Sequence, residues 1–182
     1  MCRAVFLALA AFATAPSVFA SLGFINFDGY WGTWGRMQVS SSRSYATRFK
    51  VRTESGQGSG DDTALNAICL IFNAGEPPLC SSQGRFGDWY YSPVCREGFM
   101  GAQFRLEAPQ GSGDDTAGNN IKLWCANGQM MSAIGAPNNW GVWSPIKMCR
   151  PGKRICGIQT RVEDWKRNND DTSLNGVNMR CC

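Results

Sequence analysis

The chain has 182 residues, with 21 Gly, 9 Cys, 7 Trp and no His; 43% are hydrophobic, 18% are charged, and the formal net charge is +4. That length fits one domain of about 150 residues with a proper core, and so little charge excludes long solvated helices and charge-driven disorder. Without His there is no Ser-His-Asp or Cys-His nucleophile, no His-ligated zinc and no imidazole shuttle, so any catalysis must run on carboxylates, Tyr, Lys or backbone.

The first predicted element is an address. Met1-Cys2-Arg3, the apolar run from Ala4 to Ala15 and the small residues of Pro16 to Ala20 read as a secretory signal over residues 1–20, cut before Ser21. The run is too short for a bilayer span, and no later stretch is apolar enough, so no membrane association is expected. Cleavage removes Arg3 and leaves 17 basic against 14 acidic residues. A mild excess with no basic run excludes nucleic acid as a main partner. Cys2 leaves as well, and the eight cysteines that remain read as four disulfides in a secreted chain. With no C-x-x-C pair, neither a metal nor a cofactor is expected. No N-x-[ST] acceptor is present.

Residues 21–182 read as a single domain with an internal repeat. Asp61-Asp62-Thr63, Asp114-Asp115-Thr116 and Asp170-Asp171-Thr172 recur at spacings of 53 and 56. Seven residues before each doublet stands Glu54, Glu107 or Glu163, and two before that Arg52, Arg105 or Arg161. Three residues after each Thr stands Asn66, Asn119 or Asn175. Each copy opens on a Gly-x-Trp step, at Gly32–Trp34, Gly87–Trp89 and Gly141–Trp143. The copies run over about 30–73, 85–126 and 139–182.

Each copy predicts β structure. Before the doublets, Phe49, Val51 and Thr53 alternate with polar neighbours, as do Ala102, Phe104 and Leu106, and then Ile158, Thr160 and Val162. After them the alternating sets are Ile68, Leu70 and Phe72; Ile121, Leu123 and Cys125; and Val177, Met179 and Cys181. Period two on both sides of a Gly- and Ser-rich loop predicts two half-buried strands joined by a turn. A copy of this length has room for about four short strands. Three such sheets bury their apolar faces only by packing around a common axis, which gives a pseudo-threefold all-β solid; a three-bladed propeller-like ring is the other arrangement.

Symmetry also pairs the cysteines. Six residues after the repeated Trp come Ser40, Cys95 and Cys149, and at the late-strand position come Phe72, Cys125 and Cys181. Copy one lacks Cys at both places and the other copies have it at both, which predicts Cys95–Cys125 and a bond from Cys149 to Cys181 or Cys182. Cys156 takes whichever of those two remains, and Cys69 pairs with Cys80.

Two chemical readings compete for the repeated acids. As functional groups, two carboxylates could flank a glycosidic bond, with Glu107, Asp114 and Asp115 as candidates. As scaffold, Asp and Thr bond loop backbone while Arg and Glu pair on the outer face of the sheet. Three copies favour scaffold, because one active site is normally enough, and the ligand rhythm of a calcium loop is missing. Trp34, Trp89 and Trp143 share one repeat position and read as core or axis packing. Trp124, Trp165, Tyr90 and Tyr91 read as exposed aromatics able to stack on sugar rings. Trp165 is the sharpest of them, since the matching loops of the other copies carry small residues.

Gly-x-Trp, then [AI]-Q-x-R-x-E, then G-D-D-T-x-x-N-x-I and the terminal Cys181-Cys182 resemble the vitelline membrane outer layer proteins from about Asp28 to Cys182. The resemblance implies a β-prism of three Greek-key, mostly four-stranded sheets about a pseudo-threefold axis. It also implies secretion into an egg coat and a lysozyme-like transfer on chito-oligosaccharides. Copy one departs from the family pattern, with Ser40 and Phe72 in place of the Cys pair and Cys69 and Cys80 added. The expectation is therefore a secreted, monomeric structural protein that binds glycans or the glycoproteins of an extracellular coat. The competing functions are glycosyl transfer and cationic antimicrobial defence.

Overall fold

The alternation that flanks each acidic loop becomes a pair of eight-residue antiparallel strands in every copy. The computed structural model describes residues 23–41, 44–56, 63–109, 117–137, 140–165 and 172–182. The expected signal at 1–20 and the repeated Asp61, Asp62, Asp114, Asp115, Asp170 and Asp171 lie outside the described residues. In chain order the strands open with β1 (Phe24–Phe27), β2 (Thr33–Trp34) and β3 (Gln38–Val39). They continue with β4 (Ala46–Thr53), β5 (Leu65–Phe72), β6 (Leu79–Cys80) and β7 (Asp88–Tyr91). Next come β8 (Phe99–Leu106), β9 (Gly118–Cys125), β10 (Met130–Ser132), β11 (Val142–Trp143) and β12 (Lys147–Met148), and last β13 (Ile155–Val162) and β14 (Leu174–Cys181). The described residues contain no helix.

Three sheets result. The first has the order β6-β5-β4-β7, the second β10-β9-β8-β11 with β12 also on β8, and the third β1-β14-β13-β2 with β3 also on β13. β11 with β12, and β2 with β3, are the halves of an interrupted edge strand, so each sheet is four positions wide. The sequence copies and the sheets are out of step. Every Gly-x-Trp strand pairs with the hairpin of the preceding copy: β7 on β4 and β11 on β8. The N-terminal β2 has no preceding copy and pairs with β13, so the two ends of the chain share the third sheet.

The inward positions of the three hairpins meet in one core. Phe49, Leu70, Phe99, Phe104, Ile121, Leu123, Ile158 and Leu174 are fully buried there. Aromatic contacts cross between sheets: Phe49 meets Phe99 edge-on at 5.7 Å, and Phe27 stacks on Phe104 at 5.9 Å.

Each hairpin carries two bulges, one residue inserted near either end. At the loop end the inserted residues are Asn66, Asn119 and Asn175; at the other end they are Thr47, Met100 and Cys156. The loop-end bulge explains the repeated Thr-x-x-Asn. Asn66 Nδ2 donates to Thr63 Oγ1 at 2.7 Å and Asn175 Nδ2 to Thr172 Oγ1 at 2.6 Å. Each threonine hydroxyl in turn donates to the copy's glutamate, Glu54 or Glu163, at 2.8 Å. The residue after each Thr, namely Ala64, Ala117 or Ser173, takes a left-handed φ of 48°, 39° or 53°, and its carbonyl accepts from the N–H of Glu54, Glu107 or Glu163. The Thr–Glu–Asn set thus holds a strained turn at the neck of the first and third loops.

All four disulfides follow the symmetry argument, and the open choice resolves as Cys149–Cys181 and Cys156–Cys182. Cys95–Cys125 ties the first sheet to the second, and Cys149–Cys181 the second to the third. Cys69–Cys80 links facing residues of β5 and β6.

Two expectations fail. The repeated tryptophans are not core: Trp34, Trp89 and Trp143 are half-buried on the outer faces. Each lies directly across from the outward-facing Arg161, Arg52 or Arg105, and directly opposed residues of an antiparallel pair share a face. The arginines, moreover, turn their guanidinium groups to backbone, with Arg161 also bonding the Asp28 carboxylate. Nε of Arg52, Arg105 and Arg161 donates to the carbonyl of Gly87, Gly141 and Gly32 at 3.2, 3.1 and 3.0 Å. That glycine needs a φ of 75–88°, and a Cβ there would lie 2.3–2.5 Å from the facing backbone.

Candidate functional site

Sites of single occupancy arise where a symmetric scaffold departs from its symmetry. The clearest departure at a loop end follows β13, where Glu163, Asp164 and Trp165 lead away from the third sheet. Glu163 is anchored twice, its N–H on the Ser173 carbonyl at 2.7 Å and its carboxylate on the Thr172 hydroxyl. Trp165 extends from this anchor and stays 41% exposed. The Arg85 guanidinium stands 5.6 Å from its ring centroid.

Arg85 belongs to the loop between β6 and β7 of the first sheet. Asn66 shapes that loop from below: its carbonyl accepts from Gly84 N–H at 2.7 Å, and its Oδ1 from Phe86 N–H at 3.3 Å. The same Oδ1 accepts from the Ser173 hydroxyl at 2.9 Å, which joins the first sheet to the third. Only glycine fits at 84, since a Cβ would lie 1.9 Å from Ser173 Oγ. Arg52 reaches up to the Arg85 carbonyl and holds the loop from the sheet side.

Together Gln83, Arg85, Glu163, Asp164 and Trp165 rim a cleft whose internal volume is about 30 Å³. That holds about one water, so a larger ligand would lie across the rim and not inside. Amide, guanidinium and carboxylate groups around one exposed indole offer hydrogen bonds in the plane of a sugar ring and an apolar face beneath it.

The other expected aromatics do not join this cleft. Tyr91 is 40% exposed on the first sheet, under the Arg48 guanidinium at 4.8 Å. Tyr90 corrects the expectation of exposure: it is half-buried and packs against the core. Trp124 faces outward on the second sheet, half-buried, between Met130 and Gly101 in register. Of the catalytic candidates, Glu107 sits at a loop neck, its N–H on the Ala117 carbonyl at 2.7 Å. Gln83, Arg85 and Asp164 were not singled out in the sequence. Arg85 stands two residues before the repeated Gly87, where Tyr30 and Asn139 stand in the other copies, and that break was the available signal. Cys95, Glu97 and Cys125 cluster within 4.8 Å, but the two sulfurs are bonded to each other and offer no thiolate to a metal.

Comparison with known proteins decides the family. The model of the vitelline membrane outer layer protein I (VOMI) family matches residues 24–182. The chain belongs to the VOMI family. It is 35% identical over 167 residues to the human vitelline membrane outer layer protein 1 homolog, covering 87% of this chain and 81% of that protein. The Mus musculus homolog is 31% identical over 172 residues, covering 90% and 84%. Among solved structures this VOMI chain resembles a prostate-specific WGA16 glycoprotein lectin (TM-score 0.56, 11% identity, 86% of this chain and 94% of that one). It also resembles a mannose-binding lectin from Champedak (0.55, 9%, 87% and 95%). The second β-prism domain of RbmC from V. cholerae follows at 0.51, with 12% identity over 86% and 96%. At such identities the likeness is one of fold, and the fold is a β-prism.

Proposed function

We propose that this protein is a secreted structural component of an extracellular coat or secretion that binds carbohydrate through the Trp165 cleft. The observation that carries the reading is Trp165 itself: an exposed indole that the matching loops of the other copies lack, beside Arg85 and Asp164. Three further facts support it. The relatives are named for the outer layer of the vitelline membrane, two of the three β-prism neighbours are named as lectins, and four disulfides suit an extracellular environment. The partners are glycans or coat glycoproteins, met by a monomer. Glu54 and Glu163 serve their own loop necks, which favours scaffold over acid–base chemistry for the repeated glutamates.

A glycan-binding screen on the oxidised protein, repeated with Trp165→Ala, tests this. We expect retention of one glycan class and a loss of about tenfold or more in affinity in the variant, the scale of a lost aromatic anchor. Binding that ignores the substitution, or no binding to any glycan, overturns the reading.

A further inference from the structure

The three outer sheet faces carry the same row of positions with different chemistry. In the second sheet the row across β10, β9 and β8 is Ser132, Lys122 and Gln103, and the Lys122 ammonium caps the Trp143 ring at 4.1 Å. In the first sheet the row is Cys80, Cys69 and Lys50; the cysteines are bonded, and Lys50 caps Trp89 at 4.1 Å. In the third sheet it is Asn26, Asn178 and Gln159, with no lysine.

Those three amides form a relay. Asn26 Nδ2 donates to Asn178 Oδ1, Asn178 Nδ2 donates to Gln159 Oε1 at 3.1 Å, and Gln159 Nε2 donates to the Gly35 carbonyl at 2.8 Å. An amide has two N–H donors and two acceptor lone pairs, and each link uses one of each. The row therefore keeps donors and acceptors in alternation while its orientation is fixed by its own bonds. It floors a groove of about 420 Å³ flanked by Phe24, 45% exposed, and Met37. Trp34 lies beside it with its ring over Gly176, two residues before Asn178, and no cation stacks on it among the described residues. The nearest arginine on that side, Arg161, is paired with Asp28 at 2.8 Å. On the other side Arg180 stands at the rim, between Phe24 and Gly157 in register.

We propose that this face is a second saccharide-binding groove, in which the Asn26–Asn178–Gln159 amides bind hydroxyls of an extended neutral oligosaccharide and Phe24, Met37 and Trp34 carry its ring faces. An uncharged row of alternating donors and acceptors between apolar walls complements a chain of hydroxyls and pyranose faces; a strongly charged ligand would leave its charge over neutral amides. The groove lies on the third sheet and shares no lining residue with the Trp165 cleft, so the two readings stand or fall separately.

The test follows side-chain amide signals by NMR while linear neutral pentasaccharides of glucose, mannose and N-acetylglucosamine are added to the oxidised protein. At least one sugar is expected to shift Asn26, Asn178 and Gln159, in the wild type and equally in Trp165→Ala. Asn178→Lys copies the residue that the second sheet carries at this position, so it should fold; it should lose about tenfold or more in affinity for the sugar at this face. Gln159→Ala, which deletes one amide without adding charge, should lose affinity in the same direction. Shifts confined to the Trp165 loop, no shift with any pentasaccharide, or unchanged affinity in both groove variants would overturn the groove.

Discussion

The Ser40 hydroxyl donates to Glu76 Oε1 at 3.0 Å, at the one sheet junction where the prism lacks an inter-sheet disulfide. Ser40, Cys95 and Cys149 are equivalent in structure as well as in sequence: their N–H groups donate to the carbonyls of Cys156, Thr47 and Met100, the second bulge residue of each sheet. Cys95 and Cys149 then cross to the neighbouring sheet by a covalent bond. Ser40 and Ser41 instead share one carboxylate from the turn after β5, with Ser41 N–H at 3.4 Å from its second oxygen.

Installing the missing bond should therefore be possible. We expect Ser40→Cys with Phe72→Cys to oxidise to a fifth disulfide, read as no additional free thiol by mass spectrometry. A bond of this kind contributes about 2–4 kcal/mol, but Phe72 is a buried side chain whose truncation costs about as much. The midpoint in denaturant should accordingly move little for the oxidised protein and fall sharply after reduction of the new bond.

Glu76 should make this junction sensitive to acid. Some desolvation opposes its ionisation, and hydrogen bonds from Ser40, Ser41 and Ser44 outweigh that, so its pKa lies below the ordinary value. A carboxyl whose folded pKa is depressed stabilises the fold above its unfolded pKa, and the contribution disappears as pH falls through the folded one. Glu76→Gln should lower the melting temperature at pH 7, and the gap to wild type should close toward pH 3. An equal gap at both values would show that the carboxylate charge is irrelevant here.

The bulge asparagines should be among the costliest polar residues to remove. Asn66 and Asn175 are fully buried and bond a threonine, a backbone carbonyl and the N–H of Phe86 or Trp31. Asn175→Ala strands several partners at once, and a loss of about 2–4 kcal/mol is expected in urea unfolding. Thr172→Val, which keeps the volume and removes the hydroxyl, should cost about half as much.

Capping of the repeated tryptophans by lysine should be measurable but small. A double-mutant cycle on Lys122→Met and Trp143→Leu should return a coupling of about 0.5–1 kcal/mol, typical of a cation over an exposed ring.

The long hairpins were legible because Phe49-Lys50-Val51-Arg52-Thr53 and its counterparts alternate with a period of two, which no helix can accommodate. The disulfides were legible because copies two and three share what copy one lacks. The faces of Trp34 and Trp143 were not, since two-residue strands carry no periodicity; only their register against Arg161 and Arg105 places them outside. Repetition also gave no hint of phase. A tripled sequence reads the same whether an edge strand joins its own hairpin or the one before, and that choice is made by backbone pairing alone. The Trp165 cleft was half-visible: the indole stood out as unrepeated, while Gln83 and Arg85 come from a loop 80 residues away in the chain.

Because β1 to β3 complete a sheet whose hairpin ends at Cys181, that sheet cannot close until β14 has been made. Strands β1 to β3 must therefore wait with bare hydrogen-bonding edges until β13 and β14 have left the ribosome. Joining β1 to β14 and β2 to β13 is pairing of long sequence separation, which is intrinsically slow, and catalysts of thiol exchange have that interval in which to set Cys149 on Cys181 and Cys156 on Cys182.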